Sequence, residues 1–237
     1  MSGRLGIIGG HSLPTAEFAQ DSKLEIVDGI ELLTTNDVVT LARHGIGSFT
    51  PAYRIDHQRT LAALAAVGVN RVVAFASVGS LRTDWGVGSV MVPDDVFAPW
   101  INPSIFDDGR GHSMPGFDDG WRVQVITAWR SAVETPIHDG GVYVHTMGPR
   151  FETRAEIRFY ASVADVVGMT IAAECIVAKE LGLAYAAICT VDNMANGVAD
   201  VPLTVDEFRA GVAANHHRML HDATALVREL SKSGRPS

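Results

Sequence analysis

Short runs that are apolar on both faces recur along this chain, most of them followed by a stretch with the three-to-four spacing of an amphipathic helix. That alternation is the strongest constraint on the fold. The strand-like runs, rich in β-branched side chains, are residues 4–8, 37–42, 71–76, 89–92, 141–146, 164–167 and 183–191. Helical periodicity runs through residues 53–67, 153–161, 171–181 and 204–230. A strand with no polar face must be covered on both sides. The pattern therefore predicts an α/β fold: a single three-layer domain over residues 1–237, with a mostly parallel, twisted central sheet flanked by helices. Residues 97–121, rich in Gly, Pro, Asp and aromatics, show no period and read as a long functional or subunit-contact loop. The polar tail, residues 231–237, is expected to fray.

Composition narrows the function classes. With 47% hydrophobic and 19% charged residues the chain has enough apolar surface for a large core, which excludes disorder. A net charge of −8 and no basic block leave a nucleic-acid or anionic-membrane surface without counter-charge. Every stretch of 18 residues carries a charge, against a transmembrane helix, and the N-terminus lacks the order of a secretory signal, so the cytoplasm is the expected location. Cys175 and Cys189 lie in apolar runs without ligand spacing and read as buried, reduced thiols. His217 and His221 are four apart on a helix with His216 adjacent, but no carboxylate or cysteine partner has ligand spacing; they read as a solvated face, and no metal is expected. No GxSxG elbow supports a serine nucleophile.

After the first strand, Gly6-Ile7-Ile8-Gly9-Gly10 lets the backbone turn sharply and bring N–H groups near an anion. Its glycines fall at offsets 0, 3 and 4 rather than the 0, 2 and 5 of a dinucleotide fingerprint, which leaves a small phosphate as the candidate. Read with Leu41-Ala42-Arg43-His44-Gly45, Ser77-Val78-Gly79-Ser80-Leu81, Gly148-Pro149-Arg150-Phe151-Glu152-Thr153 and Gly168-Met169-Thr170, this segment resembles the trimeric purine nucleoside phosphorylases, most closely the methylthioadenosine and methylthioinosine phosphorylase branch. The resemblance covers residues 4 to about 212.

The resemblance implies cleavage of a purine N-glycosidic bond by inorganic phosphate, a co-substrate rather than a cofactor. Arg43 and His44 match its phosphate and catalytic positions, joined by Thr170, the Ser77 backbone and the loop residues His11 and Ser12. Met169 matches the methionine under the ribose. Phe151 matches the aromatic on the base, Glu152 follows it, and Asn193 matches the asparagine that meets N7 and O6. A carboxylate only accepts, so Glu152 can pair with N1–H of a 6-oxopurine and finds no donor on N1 of a 6-aminopurine. Adenosine-type members carry acidic residues where this chain has Asn193 and Ala195. A one-residue slip would instead put Asp192 in the asparagine's place. Val205 and Phe208 match apolar positions around a 5′-methylthio group, and His112 matches a histidine supplied by an adjacent subunit of a homotrimer.

Two departures stand out. His11 and Ser12 follow the glycine pair where the family has a Ser or Thr and then Gly, and Asp56 stands where it has Asn, a carboxylate that would repel phosphate unless it faces elsewhere. The leading expectation is phosphorolysis of a 6-oxopurine nucleoside, 5′-methylthioinosine or the inosine and guanosine type. The alternatives are a methylthioadenosine phosphorylase, a nucleosidase using water, and a silent nucleoside-binding protein.

Overall fold

The computed structural model describes residues 3–10, 12–200 and 203–232. In chain order the elements are β1 (Arg4–Gly9), β2 (Lys23–Val27), β3 (Ile30–Thr34), β4 (Val38–Ala42), α1 (His57–Ala66), β5 (Val69–Ser80), β6 (Val90–Val92), β7 (Asp95–Phe97), α2 (Asp119–Ala132), β8 (Ile137–Asp139), β9 (Val142–His145), α3 (Arg154–Tyr160), β10 (Val166–Gly168), α4 (Ile171–Glu180), β11 (Ala184–Met194) and α5 (Val205–Lys232). They build one α/β domain around a mixed sheet.

The sheet runs β2-β3-β4-β1-β5-β10-β9-β7, with β11 pairing the other edge of β5 and carrying β6 and then β8. Pairing is parallel for β4-β1-β5-β11, β10-β9-β7 and β6-β8; it is antiparallel for β2-β3-β4, β5-β10 and β6-β11. Side chains alternate across β5: Val72 and Ala74 join Leu61, Leu64, Ile171 and Cys175 on the face covered by α1 and α4. Val73 and Phe75 join Trp121, Trp129, Leu226 and Leu230 on the face covered by α2 and α5. These two apolar layers are why the strands read as hydrophobic throughout.

Strand β5 also changes neighbours along one edge. β1 pairs it as far as Ala74, and β10 takes over from Gly79, so residues 75–78 are left open between two neighbours. Such switch points at the carboxyl ends of parallel strands are where α/β sheets bind ligands.

Several elements go beyond the sequence expectations. β2 and β3 form a hairpin closed by Asp28 and Gly29, with φ +47° and +75°, the positive pair that a two-residue turn of matching twist requires. The unassigned stretch after the long loop is α2, capped by Asp118, whose carboxylate accepts from Trp121 N at 2.8 Å. α5 continues through Lys232, and Ser231 Oγ donates to the Val227 carbonyl at 2.8 Å, so Ser231 and Lys232 are helical where fraying was expected. Residues 233–237 lie outside the described residues.

Candidate functional site

Arg43 follows β4 and is only 5% exposed. Its backbone N–H extends the β4–β1 ladder to Gly9 O at 2.8 Å. Its guanidinium reaches into the gap on β5, where Nη1 donates to Phe75 O at 2.8 Å. Nε and Nη2 both pair with the Glu174 carboxylate, the latter at 3.1 Å. Tyr185 donates its hydroxyl to Glu174 Oε2 at 2.7 Å. Burial opposes the charge on each partner, but the pair outweighs it, holding Glu174 below the ordinary carboxylate range and Arg43 above its ordinary value. A planar fork gripped on one side by carboxylate keeps its orientation while its remaining N–H groups can meet an oxyanion.

The other described anion candidates follow β4 (His44), follow β1 (Ser12), lie on β5 (Ser77) and head α4 (Thr170). His44 stacks on Phe49 at 5.2 Å and donates Nδ1–H to Thr50 O at 2.8 Å, because a carbonyl can only accept. Ser12 starts a short 3₁₀ turn over Leu13–Thr15, and His11 lies outside the described residues. Ser77 is exposed, and its side chain favours the charged form of the Asp192 carboxyl. Thr170 heads α4 without capping it through its side chain. Tyr143 takes that job: its hydroxyl accepts from Thr170 N at 3.1 Å and Ile171 N at 3.4 Å. Asp56 caps α1, accepting from Arg59 N at 3.0 Å, which gives its charge a local role.

Met169 is half-buried and packs against Gly148, where a Cβ would fall 2.6 Å from its sulfur. Beyond it, Glu152 is 7% exposed and accepts from Thr146 Oγ1 at 2.6 Å. Asn196 Nδ2 donates to the Glu152 carbonyl at 3.0 Å and so ties the loop after β11 to the Phe151–Glu152 segment. Phe151 meets Phe208 of α5 edge to face, with ring centroids 5.5 Å apart. Val205, one turn earlier, is 52% exposed.

Asp192 and Asn193 have different partners because the β11–β5 register shifts between Val191 and Asn193. Asp192 accepts from Asn215 Nδ2 of α5 at 2.7 Å, and burial raises its pKa above the ordinary value despite that bond and the opposing influence of Ser77. Asn193 lies beside Gly79, 8% exposed, and spends one N–H on the Met194 carbonyl at 2.9 Å.

His112 is apart from this group within one chain. It is exposed and bonds Gly109 O of its own loop at 3.2 Å. The late histidines are on α5, where the His216 and His217 rings are 5.3 Å apart and His221 lies 3.4 Å from Asp222 Oδ1. No group of three or more His, Cys, Asp and Glu among the described residues is arranged to hold a metal. Cys175 and Cys189 are free and buried, and burial pushes both thiols up to about 12.

Sequence reasoning missed Glu174, Tyr185, His57 and His145. Glu174 had a signal: it is a lone carboxylate in the otherwise apolar Ile171–Ala178 stretch, and a charge buried in that way needs a partner.

Comparisons with known proteins agree with this architecture. The chain is 36% identical over 204 residues to a probable 6-oxopurine nucleoside phosphorylase of Archaeoglobus fulgidus, covering 86% of this chain and 82% of the relative. It is 33% identical to a probable S-methyl-5′-thioinosine phosphorylase of Methanocaldococcus jannaschii, covering 91% and 88%. Among solved structures, a mutant adenosine/methylthioadenosine phosphorylase of Schistosoma mansoni in complex with methylthioadenosine superposes with a TM-score of 0.80 at 21% identity, over 99% of this chain and 93% of that one, a likeness of fold. The model of the phosphorylase superfamily matches residues 2–230, nearly the whole chain, and to that superfamily the chain belongs.

Proposed function

We propose that this protein is a nucleoside phosphorylase that cleaves 6-oxopurine nucleosides, with preference for an apolar 5′ group such as methylthio. The observation that carries the base assignment is the pairing of a buried acceptor, Glu152, with a buried amide, Asn193, on segments joined by Asn196. Glu152 accepts N1–H of the lactam edge, and the second N–H of Asn193 donates to N7 as negative charge builds on the leaving base. A phosphate oxygen bonds to C1′ of the sugar as the C1′–N9 bond breaks, and the base leaves with the bonding pair and takes up a proton.

Arg43, His44, Thr170, Ser12, His11 and the Ser77 backbone are the proposed phosphate donors, with Met169 beneath the ribose and Phe151 on the base. Val205 and Phe208 bound the 5′ group, and the exposed His112 is offered to an adjacent copy in a homotrimer. No helix among the described residues is long and apolar enough to cross a membrane; a cytoplasmic enzyme of purine salvage is the proposed setting.

The test is release of free base from inosine, guanosine, adenosine, 5′-methylthioinosine and 5′-methylthioadenosine, each with and without phosphate. Phosphate-dependent release of hypoxanthine is expected to lead. Faster release of adenine would overturn the roles of Glu152 and Asn193, and undiminished release without phosphate would make the protein a nucleosidase.

A further inference from the structure

Two imidazoles that the proposed chemistry does not use are buried beside Met169. His145 ends β9 and is 4% exposed; His57 opens α1 with its side chain 10% exposed. Nδ1 of each is buried without a hydrogen-bond partner. Both rings line one cavity of about 300 Å³ with Met169, Met147, Tyr53 and Gln58. With Nδ1 turned into the protein, the ring edge left for that cavity carries Nε2. A Glu174 oxygen lies 3.9 Å from His57 Nδ1, which favours the tautomer with its proton there and leaves Nε2 an acceptor.

Burial lowers the pKa of both rings, that of His145 to about 4, so both are neutral near pH 7. A neutral pair does not oppose positive charge growing on a sugar, as imidazolium ions would. Sulfur and aromatic walls suit the carbon frame of a furanose, and acceptor edges suit its hydroxyls.

We propose that His57 and His145 receive the ribose hydroxyls and make the enzyme select ribonucleosides over deoxyribonucleosides. The inference rests on the phosphorolysis reading, through Met169 as the floor of the sugar site. The experiment takes the better of inosine and 5′-methylthioinosine with its 2′-deoxy and 3′-deoxy analogues, and measures kcat/KM with phosphate. The proteins are the wild type and the His57→Leu, His145→Leu, His57→Gln and His145→Gln variants.

The wild type should prefer the ribonucleoside over at least one analogue by about tenfold or more. The matching Leu variant should lose that preference, and Gln, whose Oε1 can accept in place of Nε2, should restore part of it. A wild-type ratio near one, or Leu variants that keep the wild-type ratio, would overturn the inference and leave phosphorolysis intact. No phosphate-dependent cleavage of either ribonucleoside would overturn both. Thermal melts and hypoxanthine binding check that each variant folds; if a Leu variant does not, the Gln variant and the wild-type ratio decide.

Discussion

The two ends of the proposed site, for the anion and for the base, are held in opposite ways. At the anion end, Arg43 and Glu174 are 5% and 1% exposed and are closed in by Tyr185 and the Phe75 carbonyl. At the base end, Glu152 and Asn193 each rest on one short hydrogen bond, and the lip beside them, Phe151, Phe208 and Val205, is half-buried or open. A buried ion pair is whole or it is costly, because removing one partner strands the other charge. A pocket built from single hydrogen bonds and an open lip can change its preference without unfolding the protein. Under the proposed roles, the anion end is therefore where stability and function are coupled, and the base end is where specificity can drift.

The largest expected effect tests that coupling. Glu174→Gln should destabilise the fold by about 3–5 kcal/mol in urea denaturation, and the double variant with Arg43→Met should recover much of the loss. Equal instability of single and double variants would break the contrast. At the base end, Asn193→Ala should lower kcat by about 10²–10³ with little change in Tm; a loss under about fivefold would remove its role at the leaving base.

Acidification gives an intermediate effect at the boundary between the two ends. His145 has its folded pKa lowered from 6.5 to about 4, chiefly by burial, so below pH 6.5 the unfolded chain binds a proton that the folded one refuses. The contribution is complete above pH 6.5, falls as pH drops toward 4, and amounts to ~2 kcal/mol lost by pH 5. His145→Gln should flatten that part of the stability profile, read from urea midpoints between pH 7 and pH 5. The smallest effect is expected at the lip. Val205→Ala should change kcat/KM for 5′-methylthioinosine by about threefold and leave Tm unchanged, since a half-exposed methyl pair buries little area.

Much of the fold was legible in the chain itself. The strand runs at 4–8, 37–42, 71–76 and 183–191 became β1, β4, β5 and β11 because their two apolar faces match two helical layers. The hairpin of β2 and β3 was missed although Asp28-Gly29 is its turn signal, because exposed Leu24 and Ile26 make its outer strand a poor match to a buried pattern. Helix α2 was missed because the Gly- and Pro-rich loop before it masks the Trp121, Val125, Trp129 spacing. Among the proposed site residues, Arg43, Glu152 and Asn193 were named through motif order, whereas His57 and His145 sit far apart in sequence with no motif between them.

Local pattern determined the elements, since propensity and apolar period act over a few neighbours, and motif order named the candidate donors and acceptors. Which of them meet was decided only when β5 was shared by β1, β10 and β11. That crossing brings Arg43 to Glu174 across 131 positions of sequence, and the shifted register of β11 gives Asp192 and Asn193 different partners. Pairing inside the fold keeps Arg43 and Glu174 charged against the cost of burial, because a group's electrostatic surroundings belong to the packed molecule and to no segment of it.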